Sequence, residues 1–442
     1  MRRGLLAAAA LLGLALTFHP VVEGDGVNYF AYLHSIVVDR DLDLSDEYRA
    51  AAAAQATVYL ENVQSRTSTG LAADYVPIGS TLLALPAYLA ALALHPSGEP
   101  QFGAPFTTAF TLASLLFGLL ALALGYRLAQ GLEIDARSAA MGAVGAGLAT
   151  PLLYYLLYDP SYSHTFSAFE TAAFVCVWWI TGAGRGWRAW LLLGVLAGLM
   201  STVRIQDGAV AAIVVLDLPR ARLRALAALP GTVVGFLPQA LAEHTIFGTW
   251  TPGRPPEYQR LDLFPGHYLA ELLSSHNGLL VWSPAVVVAA FGIWKLGDRR
   301  FQLAAVIALV VEVAANGVQG DWWGGYSFGM RRLCDLTIFF EVGWAAVGSL
   351  WITAAFAAWN FLEAANFRYV IPCCDRDPGY LGLLRGQLEA VRDLPRMFGA
   401  PLHNGLSLPG DLLLVALQAV CLGAAITLAR SRWRQGARAS SP

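Results

Sequence analysis

The sequence predicts an all-α protein that crosses a membrane many times, and three observations carry that reading. Of 442 residues, 56% are hydrophobic and only 14% are charged, far from the balance of an ordinary soluble domain. Apolar runs approaching the ~20 residues that cross a bilayer as a helix recur along the whole chain. Short loops bearing arginine separate several of these runs. Together they predict a polytopic helical integral membrane protein of about 10–12 transmembrane helices. The net charge of −2 gives no basic face for nucleic acid, which is not an expected partner.

The first span is expected over Gly4–Val22, with Arg2 and Arg3 held in the cytoplasm. No small-x-small cleavage pattern follows it before Glu23, so it reads as uncleaved. Further apolar segments cover roughly 76–94, 105–127, 138–157, 165–182, 188–203, 208–218, 225–245, 278–296, 301–317, 335–362 and 409–429. The basic loops are "GRGWR", "PRARLR" and "KLGDRR", together with the tail "ARSRWRQGAR", and short basic loops stay in the cytoplasm. That rule sends 138–157 outward and both 105–127 and 165–182 inward.

Segment 76–94 then has no room as a full crossing. It carries Pro77 and Pro86, which interrupt helix hydrogen bonding, and is read as juxtamembrane or re-entrant. Residues 23–104 become one long outer loop, with nine acids and three arginines between Glu23 and Asp74. Segments 188–203 and 208–218 are short and meet at Arg204-Ile205-Gln206-Asp207, which suggests a groove open to the outer leaflet. In segment 335–362 one crossing would put the Arg-rich tail outside, and two crossings need more than its 28 residues. These readings place a multi-span domain over 105–362 and an outer segment over 363–408. A last span and Arg-rich cytoplasmic tail follow over 409–442. Within 363–408, Leu381, Leu384, Leu388 and Val391 recur at helical spacing, as in an amphipathic helix lying on the membrane.

Cysteine usage adds little. Cys176 and Cys421 lie inside apolar runs as packing residues, Cys334 and the adjacent Cys373-Cys374 form no CxxC pair, and no disulfide framework or metal motif is visible.

Four polar patches fall on the outer side of this topology. The first is Asp25, between glycines in "GDGVNYFAY", with Asp39 and Asp41 in "DRDLDLSDEY". The second is "YDPSYSH", with Asp159, Tyr162 and His164. The third is Arg204 with Asp207, and the fourth is "QGDWWGGYSFGMRRLCD", with Asp321, Trp322, Trp323, Tyr326, Arg331 and Arg332. Each residue also has a structural reading: Asp25 as a helix cap, the arginines as snorkelling side chains, the tryptophans as an aromatic belt. Their shared side favours a site. A carboxylate deprotonates or orients an acceptor hydroxyl, arginines grip a phosphate, and aromatic faces suit sugar rings.

The acid just after the first span, the long first outer loop, "YVPIGS" and "YDPSYSH" resemble the GT-C glycosyltransferases. That class includes protein O-mannosyltransferases and aminoarabinose transferases. The resemblance covers the first half of the chain and the "WWGGYSFGMRR" patch. It implies a GT-C-like architecture in a bacterial inner membrane with the active site facing the periplasm. It also implies transfer of a sugar from a polyprenyl-phosphate or polyprenyl-diphosphate carrier to a lipid, glycan or protein acceptor.

In that class the first-loop acid is the catalytic base or acceptor-orienting group, and Asp25 matches its position. Many members carry two adjacent acids there. Here Gly26 follows Asp25, which leaves Asp39 or Asp41 as the candidate second carboxylate. Asp159, Tyr162, His164, Arg204, Asp207, Trp322, Trp323 and Arg331 are the candidate substrate-binding residues. Metal use differs among members, and Mg²⁺ or another divalent metal between Asp25 and Asp159 is left open. A lipid-linked-sugar flippase or transporter is the competing expectation. It calls for internal repeats and ionisable residues at the midplane. No repeat is visible, and Glu312 is the main charge inside a span.

Overall fold

The structure is a computed structural model that describes residues 17–54, 65–95, 100–251, 261–371 and 377–398. Most of the expected first span, the last span with its tail, and Cys373, Cys374 and Cys421 lie outside the described residues. The described chain is helical, with β pairing limited to isolated bridges between Arg66 and Ala72 and between Leu261 and Gln319. Among the described residues, three helical stretches are long and apolar enough to cross a membrane: Ala104–Gly131, Ile205–Phe247 and Arg299–Gly317.

The segment expected as the outer loop begins with α1 (Asp25–His34), which widens into a π-helical turn over Ser35–Asp39. Helix α2 (Ser45–Ala53) follows, and then α3 (Gly79–Leu94). Pro77 precedes α3, but Pro86 sits inside it without breaking it, contrary to the expectation that this proline interrupts the helix. The first turn of α3 is tied to its surroundings. Ile78 N–H donates to Gln239 Oε1 at 2.8 Å, and the Thr81 hydroxyl donates to the Tyr29 carbonyl at 2.7 Å. Farther along, the Tyr88 ring meets Phe106 at the start of α4 (Ala104–Gly131), with centroids 5.4 Å apart. Helix α3 thus accompanies only the first turns of α4.

The expected span 138–157 is divided. Helix α5 (Ala136–Leu148) is capped by Asp135, which accepts from the N–H groups of Arg137 and Ser138. It stops before Pro151, and the short α6 (Leu152–Leu157) resumes beyond it, since proline cannot continue the hydrogen-bond ladder of the preceding turn. Helices α7 (His164–Thr181) and α8 (Trp187–Val203) form an antiparallel pair with a basic turn between them. Arg204 breaks out of α8 in extended conformation (φ −150°, ψ 128°). A 3₁₀ stretch, Ile205–Asp217, returns along α8, and α9 (Ala228–Phe247) then runs parallel to α8. Gly194 and Gly198 of α8 face Gly231 and Gly235 of α9 so closely that a methyl group at any of the four meets opposing backbone. Such small-residue stripes bring helices together by backbone approach.

Helices α10 (Ala285–Lys295) and α11 (Arg299–Gly317) follow. The problematic 335–362 segment is two helices, α12 (Thr337–Val347) and α13 (Leu350–Tyr369). The joint is Gly348 at φ +61°, which supplies the left-handed cap residue that ends many helices. Helix α14 (Gly379–Ala390) packs on α13. There Asn366 donates to the Leu383 carbonyl at 3.2 Å, while Leu381, Leu384, Leu388 and Val391 point away into the open.

Two polar clusters mark opposite ends of the α7–α8 pair. At one end Arg185 and Arg300 both grip Asp217, with Arg185 Nη1 at 2.8 Å and Arg300 Nη2 at 2.9 Å from its Oδ2. Three of the basic loops read as cytoplasmic therefore gather around one carboxylate. At the other end stand His164, which opens α7, and Arg204, which closes α8. A helix of this length spans about 25 Å, close to the hydrocarbon thickness of a bilayer.

Candidate active site at the outer-loop end of the bundle

The first turn of α1 presents Asp25 to the rest of the molecule. Gly24 caps the helix at φ +57°, in a region that glycine tolerates and other residues rarely adopt. Its α-carbon lies against the Tyr162 hydroxyl, and that of Gly26 lies against Ser161, so a methyl group at either position collides. The two glycines let the "YDPSYSH" loop seat directly on the turn that carries Asp25. Ser161 secures the seat. Its hydroxyl lies 3.3 Å from the Glu23 N–H, which donates to it, and 3.1 Å from Asp159 Oδ1.

Asp25 Oδ2 accepts from Arg331 Nη1 at 2.6 Å. The pair is not sealed: the side chains are 25% and 15% exposed. The Arg331 guanidinium lies over the Tyr162 ring at 5.1 Å. Asp25 is the first residue of the helix, one position past its Gly24 cap, and its carboxylate reaches a distant arginine.

Behind this pair stands Arg204. Its Nη1 lies 2.5 Å from His164 Nδ1 and 3.4 Å from the Arg331 carbonyl. A guanidinium only donates, so Nδ1 of His164 is the acceptor and the ring proton sits on Nε2. That buried Nε2–H has no hydrogen-bond partner among the described residues. Arg204 Nε also lies 3.8 Å from Asp207 Oδ1, while Ser167 donates to Asp207 Oδ2 at 2.5 Å. Tyr29 of α1 donates to the Ser163 hydroxyl at 3.0 Å and ties the same loop to the outer helix.

The Trp322-Trp323 loop forms one wall. Arg332 pairs with Asp321, and the two tryptophans meet edge to face, with His267 stacked on Trp322 and His276 stacked on Trp323. Asn277 donates to the Trp323 carbonyl at 2.9 Å. Tyr155 joins this wall to the "YDPSYSH" loop: its hydroxyl donates to the Phe328 carbonyl at 3.1 Å and accepts from the Phe328 N–H at 3.1 Å.

Burial sets the protonation of the loop carboxylates. Asp159 is pushed well above the usual carboxylate range by burial first and by the Glu23 charge second. Asp74, 2% exposed, is pushed up to about 7, again chiefly by burial.

Of the residues singled out in the sequence, Asp25, Asp159, Tyr162, His164, Arg204, Asp207 and Arg331 come together, and Trp322 and Trp323 flank them. Asp39 and Asp41 do not join them. They lie past the far end of α1, roughly 20 Å along the helical rise from Asp25. Asp41 Oδ1 is occupied by the Ser35 hydroxyl and the Asp43 N–H, both at 3.1 Å, so it fastens the loop. Asp39 faces His34 at 3.0 Å. Sequence reasoning passed over Ser161, Tyr155, His267 and His276. Only Ser161 carried a local signal, as the small polar residue between two tyrosine-loop positions. Comparison with known proteins finds no matching family model, no matching curated protein and no matching solved structure.

Proposed function

We propose that this protein is a GT-C-type glycosyltransferase that moves a sugar from a polyprenyl-phosphate or polyprenyl-diphosphate carrier to a lipid, glycan or protein acceptor. The reaction takes place at the periplasmic face of a bacterial inner membrane. The single observation that carries this reading is the Asp25–Arg331 pair, a partly open carboxylate–guanidinium contact backed by Arg204 and His164. A phosphate entering here competes with Asp25 for the Arg331 fork, because guanidinium binds both oxyanions in the same bidentate manner. Capture of the donor phosphate by Arg331 frees Asp25 to accept the proton of the acceptor hydroxyl. The acceptor oxygen then bonds to the anomeric carbon from the opposite face, and the bond to the phosphate oxygen breaks. The charge left on the phosphate is held by Arg331, with Arg204 behind it, and the configuration inverts. Trp322 and Trp323, each stacked on a histidine, would wall the sugar's side of the site.

A divalent ion between Asp25 and Asp159 fits this set poorly. Arg331 already stands as the counter-cation of Asp25, and burial favours the neutral Asp159 carboxyl. No step is routed through such an ion. The test is sugar transfer by purified protein from a labelled polyprenyl-phosphate donor, compared with Asp25→Asn. Absence of any new glycosidic bond across a panel of mono- and diphosphate donors overturns the reading.

One observation favours the lipid-linked-sugar flippase or transporter reading. Asp207, Glu312 and Asp335 are fully buried, lie near enough to interact electrostatically, and each has a carboxylate oxygen with no hydrogen-bond partner among the described residues. Buried acids between helices are a feature of ion-coupled carriers. Movement of labelled lipid across proteoliposomes without glycosidic bond formation selects that reading.

A further inference from the structure

A second cluster lies where α1 ends, outside the site just described. We propose that His34, Asp39 and Glu47 form a binding site for a first-row divalent transition cation of the Zn²⁺ class, clipping the end of α1 to α2.

The geometry comes first. His34 Nδ1 lies 3.0 Å from Asp39 Oδ2 and 3.4 Å from Glu47 Oε1, and one ligand atom from each residue falls within 4.8 Å of the others. Ligands held tetrahedrally about 2.0–2.2 Å from Zn²⁺ stand roughly 3.3–3.6 Å apart, so small shifts suffice to admit the ion. The backbone is arranged for this convergence. In a regular α-helix, Val38 would come round beneath His34 four residues on. The π-helical turn over Ser35–Asp39 adds a residue and brings Asp39 there, leaving Val38 exposed. Such wide turns are concentrated at functional positions. Arg40, at φ +62°, then reverses the chain toward α2, which delivers Glu47.

The second observation is Glu47 itself. It is fully buried and aimed into the cluster, and its Oε2 has no hydrogen-bond partner among the described residues. No arginine or lysine ion pair with it is seen among the described residues; its Oε1 shares the His34 Nδ1 with Asp39, whose carboxylate also lies against it. Two carboxylates on one nitrogen are under-compensated, and a dication satisfies both.

The ligand types select the ion. An imidazole with two carboxylates suits Zn²⁺, whereas Mg²⁺ and Ca²⁺ prefer all-oxygen shells with more ligands. The His34 and Asp39 side chains are 23% and 31% exposed, so the ion has an entry path and a fourth position for water. Along the helical rise His34 stands about 14 Å and Asp39 about 20 Å from Asp25, so the site braces the loop and takes no part in group transfer.

The experiment uses full-length, tag-free protein in detergent, stripped with chelator and titrated with Zn²⁺ alone by calorimetry. A parallel titration with Co²⁺ is followed by visible absorption. The expected result is one equivalent per chain, a tetrahedral Co²⁺ spectrum, and a Zn²⁺-dependent rise in the thermal midpoint. His34→Ala and Glu47→Gln weaken binding at least tenfold. Asp39→Asn, at the exposed rim, keeps the apo thermal midpoint and loses the rise with Zn²⁺. No saturable binding, or unchanged affinity in these variants, overturns the proposal and leaves an imidazole shared by two carboxylates. The readout is metal binding, so it stands or falls separately from glycosyl transfer.

Discussion

Arg331 and Asp25 stand 306 residues apart in the chain and 2.6 Å apart in the fold. The contact joins the acid at the start of α1 and the arginine patch before α12 into a single chemical unit. Asp25→Asn keeps the shape and the acceptor oxygen but removes the charge. Transfer activity should fall by the roughly 10²–10⁴-fold typical of losing general acid–base help, with the thermal midpoint nearly unchanged. A stable variant with near-normal transfer removes Asp25 from the chemistry.

Arg331→Lys and Arg204→Lys keep a positive charge and lose the planar fork. A charge-assisted hydrogen bond contributes about 1.5–3 kcal/mol, so donor affinity should weaken roughly 10–100-fold in Arg331→Lys. Arg204→Lys also releases Nδ1 of His164 and with it the fixed tautomer. Steady-state kinetics over a donor series measures both, and unchanged donor affinity in both variants excludes a phosphate-binding role.

Gly26→Ala should destabilise the protein by about 1–3 kcal/mol, because the added methyl meets Ser161. The double variant Gly26→Ala with Ser161→Gly makes room and should recover much of that loss. Thermal unfolding of the single and double variants checks this. An equal loss in both places the cause in the α1 backbone and not in the seat of the loop.

Asp74 predicts a pH effect. Its folded pKa, about 7, lies above the ordinary carboxylate value, so the folded state binds the extra proton between them. Its contribution is most favourable below about pH 4 and is lost as pH rises through 7. Asp74→Asn should flatten this part of the profile, so the difference in thermal midpoint between variant and parent grows from pH 5 to pH 8. A pH-independent difference refutes the assignment.

The helical class and several helix positions were legible in the sequence because hydrophobicity and charge are local properties. Charge alone grouped the loops bearing Arg185 and Arg300 on one side, and both arginines meet at Asp217. Breaks inside apolar runs were harder to read. Pro151 ends a helix while Pro86 does not, and only the packing around each decides. The pairing of Asp25 with Arg331 has no sequence signature, since nothing local links positions so far apart. Asp39 and Asp41 were grouped with Asp25 by nearness in sequence, whereas α1 carries them away from it. The GxxxG spacings at Gly194 and Gly231 were visible but went unused.

The same long separation has a consequence for how the molecule comes into being. Ribosomes deliver Asp25 first, and its partner arrives only after the helices through α11 have been made. A nascent chain halted before Arg331 therefore carries the acid without its cation and has no assembled site. The turn that carries Asp25 must wait, its surroundings incomplete, while the rest of the chain is made. The Asp25–Arg331 contact therefore forms only late in synthesis.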